Sequence, residues 1–304
     1  MSINTIEYAK VFQEMLDKQV TADATSGWME GNARLVKYHG GNEVKLPTLD
    51  MDGLADYDRD EGFTRGSVRL SYQTLTLSQD RGRTFLIDAM DVDETNFSAS
   101  ASNVMGEFQR TKVIPEIDAY RYSVLAKKCV DNSRSSTYTP AAETILTKLR
   151  EDVEKIYENA GEVELVLTLS TQAAALLDGS AEFNQMVDVG NFKRGDYDCR
   201  VRFWNGNPIV RVPSDRMKTL YDFNDGKTEG QEEGGYAVND GAKQINWIIS
   251  AKTAPIAIAK TDVVRIFDPM QNQTHNAWKI DYRKYHDVFV PDNQLKAMWA
   301  SVQE

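Results

Sequence analysis

The sequence has few of the residues on which metal and disulfide sites depend. Its 304 residues include two cysteines, Cys129 and Cys199, and three histidines. Because no Cys-x-x-Cys pair occurs, neither a disulfide framework nor a cysteine-based zinc site is expected, and two free thiols fit a reducing compartment such as the cytoplasm. His39, His275 and His286 are scattered, and their spacing matches no metal site or catalytic triad.

Long hydrophobic runs and an excess of positive charge are also missing. No stretch approaches the ~20 consecutive apolar residues that span a bilayer, and the first residues lack the charged and apolar regions of a signal peptide. The chain has 35 Lys and Arg against 46 Asp and Glu, a net charge of −11. That balance disfavours a protein that binds nucleic acid with its whole surface, although a local basic face stays open. The 41% of apolar residues is enough for a folded chain with a real core.

None of the short motifs that mark common enzyme sites occurs in the chain. Gly-x-Ser-x-Gly, Gly-x-Gly-x-x-Gly and His-Glu-x-x-His are all missing. Gly226-Lys227-Thr228 matches the end of a phosphate-binding P-loop, but Tyr221 stands where that motif requires glycine. We therefore expect no nucleotide and no other cofactor. A hydrolase that uses an unmarked pair of carboxylates is kept as an alternative.

Two acidic segments have a spacing that could hold a cation. The alternate aspartates of residues 56–60 occupy positions 1, 3 and 5 of a calcium-loop pattern, but Glu61 and Ser67 replace its required Gly and Glu. The acidic residues between Asp88 and Glu94 precede a helical pattern, where negative charge complements the helix N-terminus. We predict solvated acidic residues and no metal site.

The first third of the chain predicts an amphipathic helix followed by a long β-hairpin. Residues 1–25 have the apolar spacing of a short helix, which packs either on its own body or on a neighbouring subunit. Arg34–Tyr38 and Glu43–Leu46 are predicted to pair with strand residues 68–77, forming a ribbon that has to lean on something else.

The apolar residues of the last predicted strand change parity along its length. Val68, Leu70 and Tyr72 occupy even positions, whereas Leu75 and Leu77 occupy odd positions. Because strand side chains alternate between two faces, this change predicts a bulge or a strong twist near Gln73–Thr74.

A long helix is predicted next, over residues 95–129. Thr95 or Asn96 supplies its cap, and an apolar stripe begins at Phe97 and continues to Val124. Pro115 interrupts the stripe and predicts a kink or a restart of the helix.

A helix, a strand and a second helix follow. Thr139 is the predicted N-cap and Pro140 the first position of a helix that ends at Gly161. A nearly continuous apolar strand covers Val163–Leu169, and a short helix capped by Ser170 or Thr171 ends at Gly179. This order favours an α/β or α+β fold.

The remaining residues predict mainly strands. Asn205-Gly206-Asn207 predicts the turn of a hairpin between residues 200–204 and 208–212, and the Gly- and Glu-rich residues 224–241 predict a mobile surface loop. The last predicted strands are Ile245–Ser250, Ile256–Ala259, Val263–Phe267 and Ala277–Val290.

This order of elements resembles the major capsid proteins of tailed bacteriophages, the family with the α+β Hong Kong 97-like fold. Gly206–Val212 is similar to the family's Gly-x-Pro followed by a strand, and Lys279–Pro291 looks like its late peripheral strand. The resemblance implies five segments: an N-terminal arm (1–33), an extended β-hairpin loop (34–92), a peripheral domain with a long spine helix (93–138), an axial domain (139–262), and a return to the peripheral domain with a C-terminal tail (263–304).

The resemblance implies a structural protein and not an enzyme. Such a chain self-assembles, as hexamers and pentamers, into the icosahedral phage head that encloses double-stranded DNA. The implied partners are the chain itself, a separate scaffolding protein, a portal protein and packaged DNA contacted without sequence specificity, with no membrane. The implied location is the virion capsid, after assembly in the host cytoplasm. Another self-assembling phage component, such as a tail-tube or decoration protein, is an alternative.

The predicted site is therefore a contact surface, with no catalytic, cofactor-binding or metal-binding residue. The candidates for subunit contacts are apolar residues of the arm and the hairpin: Tyr8, Phe12, Leu16, Trp28, Val68, Leu70, Tyr72, Leu75 and Leu77. The hinge candidates for shell expansion are Gln73, Thr74 and Pro115.

Overall fold

The computed structural model describes residues 24–35, 43–60, 62–88, 90, 101–194, 197–272 and 275–304. The predicted N-terminal helix, with its contact candidates Tyr8, Phe12 and Leu16, lies outside these residues, as do the predicted helix caps Thr95 and Asn96.

The helical segments follow the chain in this order: a 3-10 helix (Gly27–Leu35), α1 (Ala101–Phe108), a π-helical turn (Gln109–Val113), α2 (Ile114–Asp131), α3 (Ile145–Ala160), α4 (Thr171–Asp178), α5 (Ala181–Gln185) and two 3-10 helices (Ser214–Arg216, Asp292–Ala297). The strands are β1 (Glu43–Met51), β2 (Val68–Thr76), β3 (Gln79–Asp88), β4 (Ser135–Thr137), β5 (Leu165–Ser170), β6 (Val187–Arg194), β7 (Tyr197–Trp204), β8 (Asn207–Val212), β9 (Tyr221–Phe223), β10 (Tyr236–Val238), β11 (Ile245–Ala251), β12 (Ile256–Phe267), β13 (Ala277–Phe289) and β14 (Met298–Val302).

The long predicted helix is present, and α1, the π-helical turn and α2 form it without a break. We call residues 101–131 the spine helix. The helix does not restart at Pro115, because Val113 and Ile114 keep helical backbone angles; the irregularity is the π-helical turn that immediately precedes Pro115. Proline removes one N–H from the helical hydrogen-bond ladder, and a π-helical turn is a common irregularity of that ladder.

The largest sheet has seven strands in the order β4-β14-β11-β5-β8-β7-β6. The buried apolar run predicts its central strand correctly, because every residue of β5 is buried between antiparallel β11 and parallel β8. The main core covers this sheet with apolar residues of α2, α3 and α4 and includes the fully buried Trp204 and Trp247.

Two local predictions around this sheet are confirmed in detail. Ser170 caps α4, and its Oγ accepts a hydrogen bond from the backbone N–H of Ala173. Asn205 and Gly206 form the two-residue turn between β7 and β8 with φ angles of 48° and 77°. Positive φ at both positions is the requirement of the type I′ hairpin turn, which Asn-Gly satisfies at low cost.

The second sheet has three strands in the order β12-β13-β3. It packs against the first half of the spine helix through a smaller core that includes Phe85, Phe108 and Tyr282. The two strands predicted over 256–267 are one strand with a register shift between Ala259 and Thr261. A bulge keeps such a strand continuous while its apolar pattern shifts.

Three local predictions are wrong. Helix α3 begins at Ile145, with Thr144 as its N-cap, because the segment after Thr139 and Pro140 forms a turn whose Ala141 carbonyl accepts the N–H groups of Thr144 and Ile145. Arg34 and Leu35, predicted in a strand, belong to the first 3-10 helix, and residues 36–38 of that strand lie outside the described part of the chain.

The extent of the predicted loop at 224–241 is the third error, because Tyr236–Val238 within it form strand β10. Its flanks pair as the antiparallel strands β9 and β10. The guanidinium of Arg81, on β3, donates to the carbonyl oxygens of Asn224 (2.8 Å) and Gly235 (2.9 Å). Composition predicts a surface loop correctly but does not reveal such distant anchors.

The segment boundaries inferred from the resemblance do not all coincide with the sheets. The resemblance places residues 24–33 in the arm, whereas Trp28 and Met29 belong to the main core. Strand β3, assigned to the hairpin loop, is an edge of the three-stranded sheet, β12 crosses the boundary at 262, and β14 belongs to the seven-stranded sheet. Which sheet or core a segment joins is decided by contacts with residues distant in sequence, and local sequence patterns do not encode those contacts.

Candidate subunit-contact surface

Strands β1 and β2 form a two-stranded ribbon with an unbroken antiparallel register from Glu43–Thr76 at the root to Met51–Val68 at the far end. The bulge predicted at Gln73–Thr74 is therefore absent, because both residues pair in sequence with Leu46 and Lys45. The change in parity has another cause. The apolar residues simply change from one face of the ribbon to the other along its length.

At its root, the apolar face of the ribbon points into the protein. Val44, Leu46 and Leu77 are buried together with Ile256 and Phe289 in a third small core. Leu75 is partly buried against the same cluster. Leu75 and Leu77, predicted as subunit contacts, are therefore used inside their own subunit.

Farther out, the apolar face is on the opposite side and is open to solvent. Leu49 lies across from Leu70, and Met51 lies across from Val68. Leu49, Met51, Val68, Leu70 and Tyr72 are each between 56% and 67% exposed. We call these five residues the distal face. A contiguous apolar face with no backing layer among the residues that the structure describes is typical of an interaction surface. Val68, Leu70 and Tyr72 of the predicted contacts belong to it.

Trp28, the remaining predicted contact that the structure describes, is not on the surface. It is buried in the main core, and its ring meets that of Phe192 edge-on at a centroid distance of 6.3 Å. A turn-rich sequence around a single aromatic residue does not show whether that residue packs inward or outward.

The root of the hairpin is fixed by a carboxylate. Oδ2 of Asp287, on β13, accepts hydrogen bonds from the backbone N–H and the hydroxyl of Ser78, both at 2.9 Å. Its Oδ1 accepts the hydroxyl of Tyr120, on α2, at 2.8 Å. Burial, and then the nearby Asp287 charge, raises the pKa of Tyr120 above its usual value, so this hydroxyl stays protonated as a donor. The ribbon is thereby tied to both the sheet and the spine helix.

The junction between residues 24–30 and the spine helix is a second polar anchor. Asp118 is completely buried and accepts the backbone N–H and hydroxyl groups of Thr25 and Ser26 at 2.7–3.1 Å. Arg216 donates to the same carboxylate at 3.2 Å, and buried Arg121 pairs with Glu30 at 2.7 Å. Sequence reasoning missed this anchor. Its only signal is an Asp and an Arg on an otherwise apolar helix face.

The end of the ribbon combines exposed apolar and acidic side chains. We call residues 52–60 and 62–67 the hairpin tip. Leu54 and Phe63 are almost fully exposed, and the rings of Tyr57 and Phe63 contact each other at a centroid distance of 4.9 Å. Oδ2 of Asp52 accepts the N–H and hydroxyl of Ser67 at 2.7 and 2.8 Å and closes the base of the tip.

The segments with a possible chemical role are arranged as ordinary turns. Asp225 accepts the backbone N–H groups of Lys227 and Thr228, both at 2.8 Å, so the amides that a P-loop would direct at phosphate are already used. These bonds lower the pKa of Asp225 to about 2.

Among the residues that the structure describes, no group of three His, Cys, Asp or Glu side chains is arranged to hold a metal ion, and no helix is long and apolar enough to cross a membrane.

The combination of a long hairpin, a spine helix, a three-stranded sheet and a separate seven-stranded sheet is the α+β capsid fold of tailed bacteriophages that the sequence predicts. A structure from Gordonia phage Cozz matches with a TM-score of 0.54 and 14% identity, covering 91% of this chain and 87% of that chain. The capsid structure of the cyanophage P-SCSP1u matches with a TM-score of 0.53 and 10% identity, covering 88% and 85%. A structure from Mycobacterium phage Ogopogo has a TM-score of 0.53 and 11% identity, covering 90% and 91%. No family model and no curated protein matches the sequence.

Proposed function

We propose that this chain is the structural subunit of an icosahedral phage head, which it builds by self-assembly around double-stranded DNA. The observation that carries the proposal is the distal face. A chain with the capsid fold exposes five neighbouring apolar residues on a ribbon, and none of the three cores formed by the described residues covers them. In a shell, a second subunit covers them.

The geometry of the ribbon suits repeated contacts of one kind. The distal face lies on a projecting element, whereas the rest of the chain is organised around its own cores. A projecting surface that fits a different surface of the next copy makes a heterologous contact, and such contacts close into rings when the rotation allows it. Rings of six and five subunits, combined, form an icosahedral shell.

The polar anchors support the same proposal. A projecting ribbon transmits contact forces only if its root is held, and Asp287 and Tyr120 hold Ser78 at that root. The Asp118 cluster similarly holds Thr25 and Ser26 against the spine helix. The Asp287 cluster lies where the projecting ribbon joins the folded body.

The partners that follow from this role are a scaffolding protein, a portal protein and the packaged DNA, in a virion assembled in the host cytoplasm. The net charge of −11 is compatible with enclosing DNA, because filling of the head is driven by a motor and does not require each subunit to bind DNA. A structural role without catalysis fits a chain in which the P-loop-like amides are occupied by Asp225.

Shell expansion would use the same projecting elements. The π-helical turn before Pro115 is the irregular point of the spine helix and supports Pro115 as a hinge. The hinge predicted at Gln73–Thr74 rested on a bulge that the register excludes. The break in backbone pairing falls instead at Leu77–Ser78, between β2 and β3.

Electron microscopy of the purified chain tests the proposal. Expressed with its scaffolding protein, the chain should form rings, sheets or closed shells in negative stain. A monodisperse monomer under these conditions would refute the role as a shell subunit. Tubes of uniform diameter would instead indicate a tail-tube protein.

A further inference from the structure

A cavity of about 500 Å³ lies between the spine helix, β3, β13 and the loop formed by residues 224–235. One wall of this cavity is aromatic. The ring of Phe108 meets those of Phe85 and Tyr282 edge-on, at centroid distances of 4.8 and 6.0 Å. A cavity of this volume is typical of sites that bind a small molecule, and rings packed in this way offer a rigid surface to the ring of a ligand.

A buried histidine of the lining has an unused hydrogen-bonding atom. His286, on β13, is only 4% exposed, and its Nδ1 has no hydrogen-bond partner among the described residues. Burial, and then the charge of Arg121, lowers the pKa of His286 well below its usual value, so the ring is neutral near pH 7. A neutral imidazole has one donor and one acceptor nitrogen, and leaving either unpaired in a buried place is costly. A polar group of a ligand in the cavity is a source of the missing partner.

The open side of the cavity carries positive charge. Lys112, from the π-helical turn, and Lys227, from the loop, are both exposed and belong to no ion pair in the described part of the chain. Arg83 donates to the carbonyl oxygen of Glu232 at 3.2 and 3.3 Å and likewise has no acidic partner there. Cations beside an aromatic wall favour a ligand that combines an apolar ring with a negative charge.

The remaining charges of the lining leave an excess of one positive charge. Three ion pairs account for most of them: Arg81–Glu116, Lys284–Asp262 and Asp80–Arg283, at 2.5–2.7 Å. Asp225 and Glu233 are the acids of the lining that these pairs do not use, against the three cations of the open side. An excess of one positive charge matches a ligand with a single negative charge better than a doubly charged phosphate.

We propose that this cavity binds a small hydroxylated aromatic monoanion, of the class of the hydroxyarene carboxylates. The ring of the ligand lies against the aromatic wall, its carboxylate meets Lys112 and Lys227 at the open side, and its hydroxyl pairs with His286. The role of a shell subunit does not require such a site, so the proposal goes beyond the proposed function. Because the ligand touches the spine helix, β3 and the loop at once, it holds the loop at 224–235 against the folded body.

Related probes test the three features of the ligand one at a time, by titration calorimetry on the full-length, unassembled chain. 6-Hydroxynaphthalene-2-carboxylate carries all three and should bind with a Kd on the order of 100 μM. Naphthalene-2-carboxylate lacks the hydroxyl and 2-naphthol lacks the carboxylate, and each should bind at least ~5-fold more weakly. Tighter binding of adenosine monophosphate would overturn the assignment of a monoanion. If no probe binds saturably at concentrations up to about ten times the expected Kd, the cavity is not a ligand site.

Neutralised lysines and the histidine signals show where the hydroxynaphthoate binds. Lys112→Gln with Lys227→Gln should raise its Kd at least ~10-fold. The matched pair Lys127→Gln with Lys243→Gln removes two exposed lysines outside the cavity and should leave the Kd within about 2-fold. Equal weakening by both pairs would show non-specific attraction and overturn the site. In NMR spectra of the three histidine rings, saturation with the probe should shift the signals of His286. Unchanged His286 signals would place the probe elsewhere.

Discussion

The distal face gives a prediction whose size follows from the structure. Leu49 and Leu70 lie opposite each other on β1 and β2, and each is 56% exposed. Complete burial of a leucine side chain is worth about 1.5–3 kcal/mol relative to leaving it exposed. Covering the exposed half of both leucines therefore contributes about 2–3 kcal/mol to the binding free energy of each subunit contact. Replacing both by serine should weaken that contact by about 30- to 150-fold.

The assay is the lowest protein concentration at which shells or rings form, measured by light scattering and checked by microscopy. The double variant should need a much higher concentration than wild type, and its unassembled subunit should melt within about 2 °C of wild type, because both side chains are exposed there. Leu75→Ser, on the same strand but facing the root core, should show the opposite pattern, with a lower melting temperature. Unchanged assembly of the double variant would refute the burial of this face in a shell.

Three further predictions concern the folded subunit. Asp118→Ala leaves the buried donors of Thr25 and Ser26 unpaired and should lower the free energy of unfolding by about 3–5 kcal/mol in denaturant titrations, whereas the exposed Asp240→Ala should change it by less than about 0.5 kcal/mol. Burial, and then the charge of Arg121, holds the pKa of His286 well below its usual value, so the unfolded chain binds a proton below about pH 6.5 that the folded chain does not. The free energy of unfolding should therefore fall as the pH drops below about 6.5, by up to about 1.4 kcal/mol per pH unit from this group. The variant His286→Gln should lack that part of the pH dependence. Parallel curves of unfolding free energy against pH for the two proteins would contradict this prediction. Burial raises the pKa of the Cys129 thiol to about 12, so native protein should react with a thiol reagent only at Cys199, and both cysteines should react after unfolding.

Elements with a strong local signal are predicted correctly. The apolar run of β5, the Ser170 cap of α4 and the Asn205-Gly206 turn each depend on neighbouring residues and backbone geometry alone. The spine helix follows from helical periodicity, and the irregularity next to Pro115 follows from the missing proline N–H. The order of such elements was enough for the resemblance to a capsid fold, although no short motif marks it.

The candidate surface is predicted only in part. Alternation along β2 identifies its apolar residues, but Val68 and Leu77 have the same local signal, and one is exposed while the other is buried. The difference comes from where the root of the ribbon meets β12 and β13, which lie almost two hundred residues away in sequence. The parity change predicted as a bulge is in fact the point at which the ribbon leaves its own core.

Local sequence patterns are therefore enough to predict the types of the main elements, the positions of several turns and caps, and the excess of acid in the tip. Tertiary structure decided which apolar residues are consumed inside the subunit and which remain for another copy. It also decided that Asp118, Asp287 and Arg81 join segments distant in sequence. The physical reason is that periodicity reports which face of an element is apolar, whereas burial depends on what the fold brings against that face.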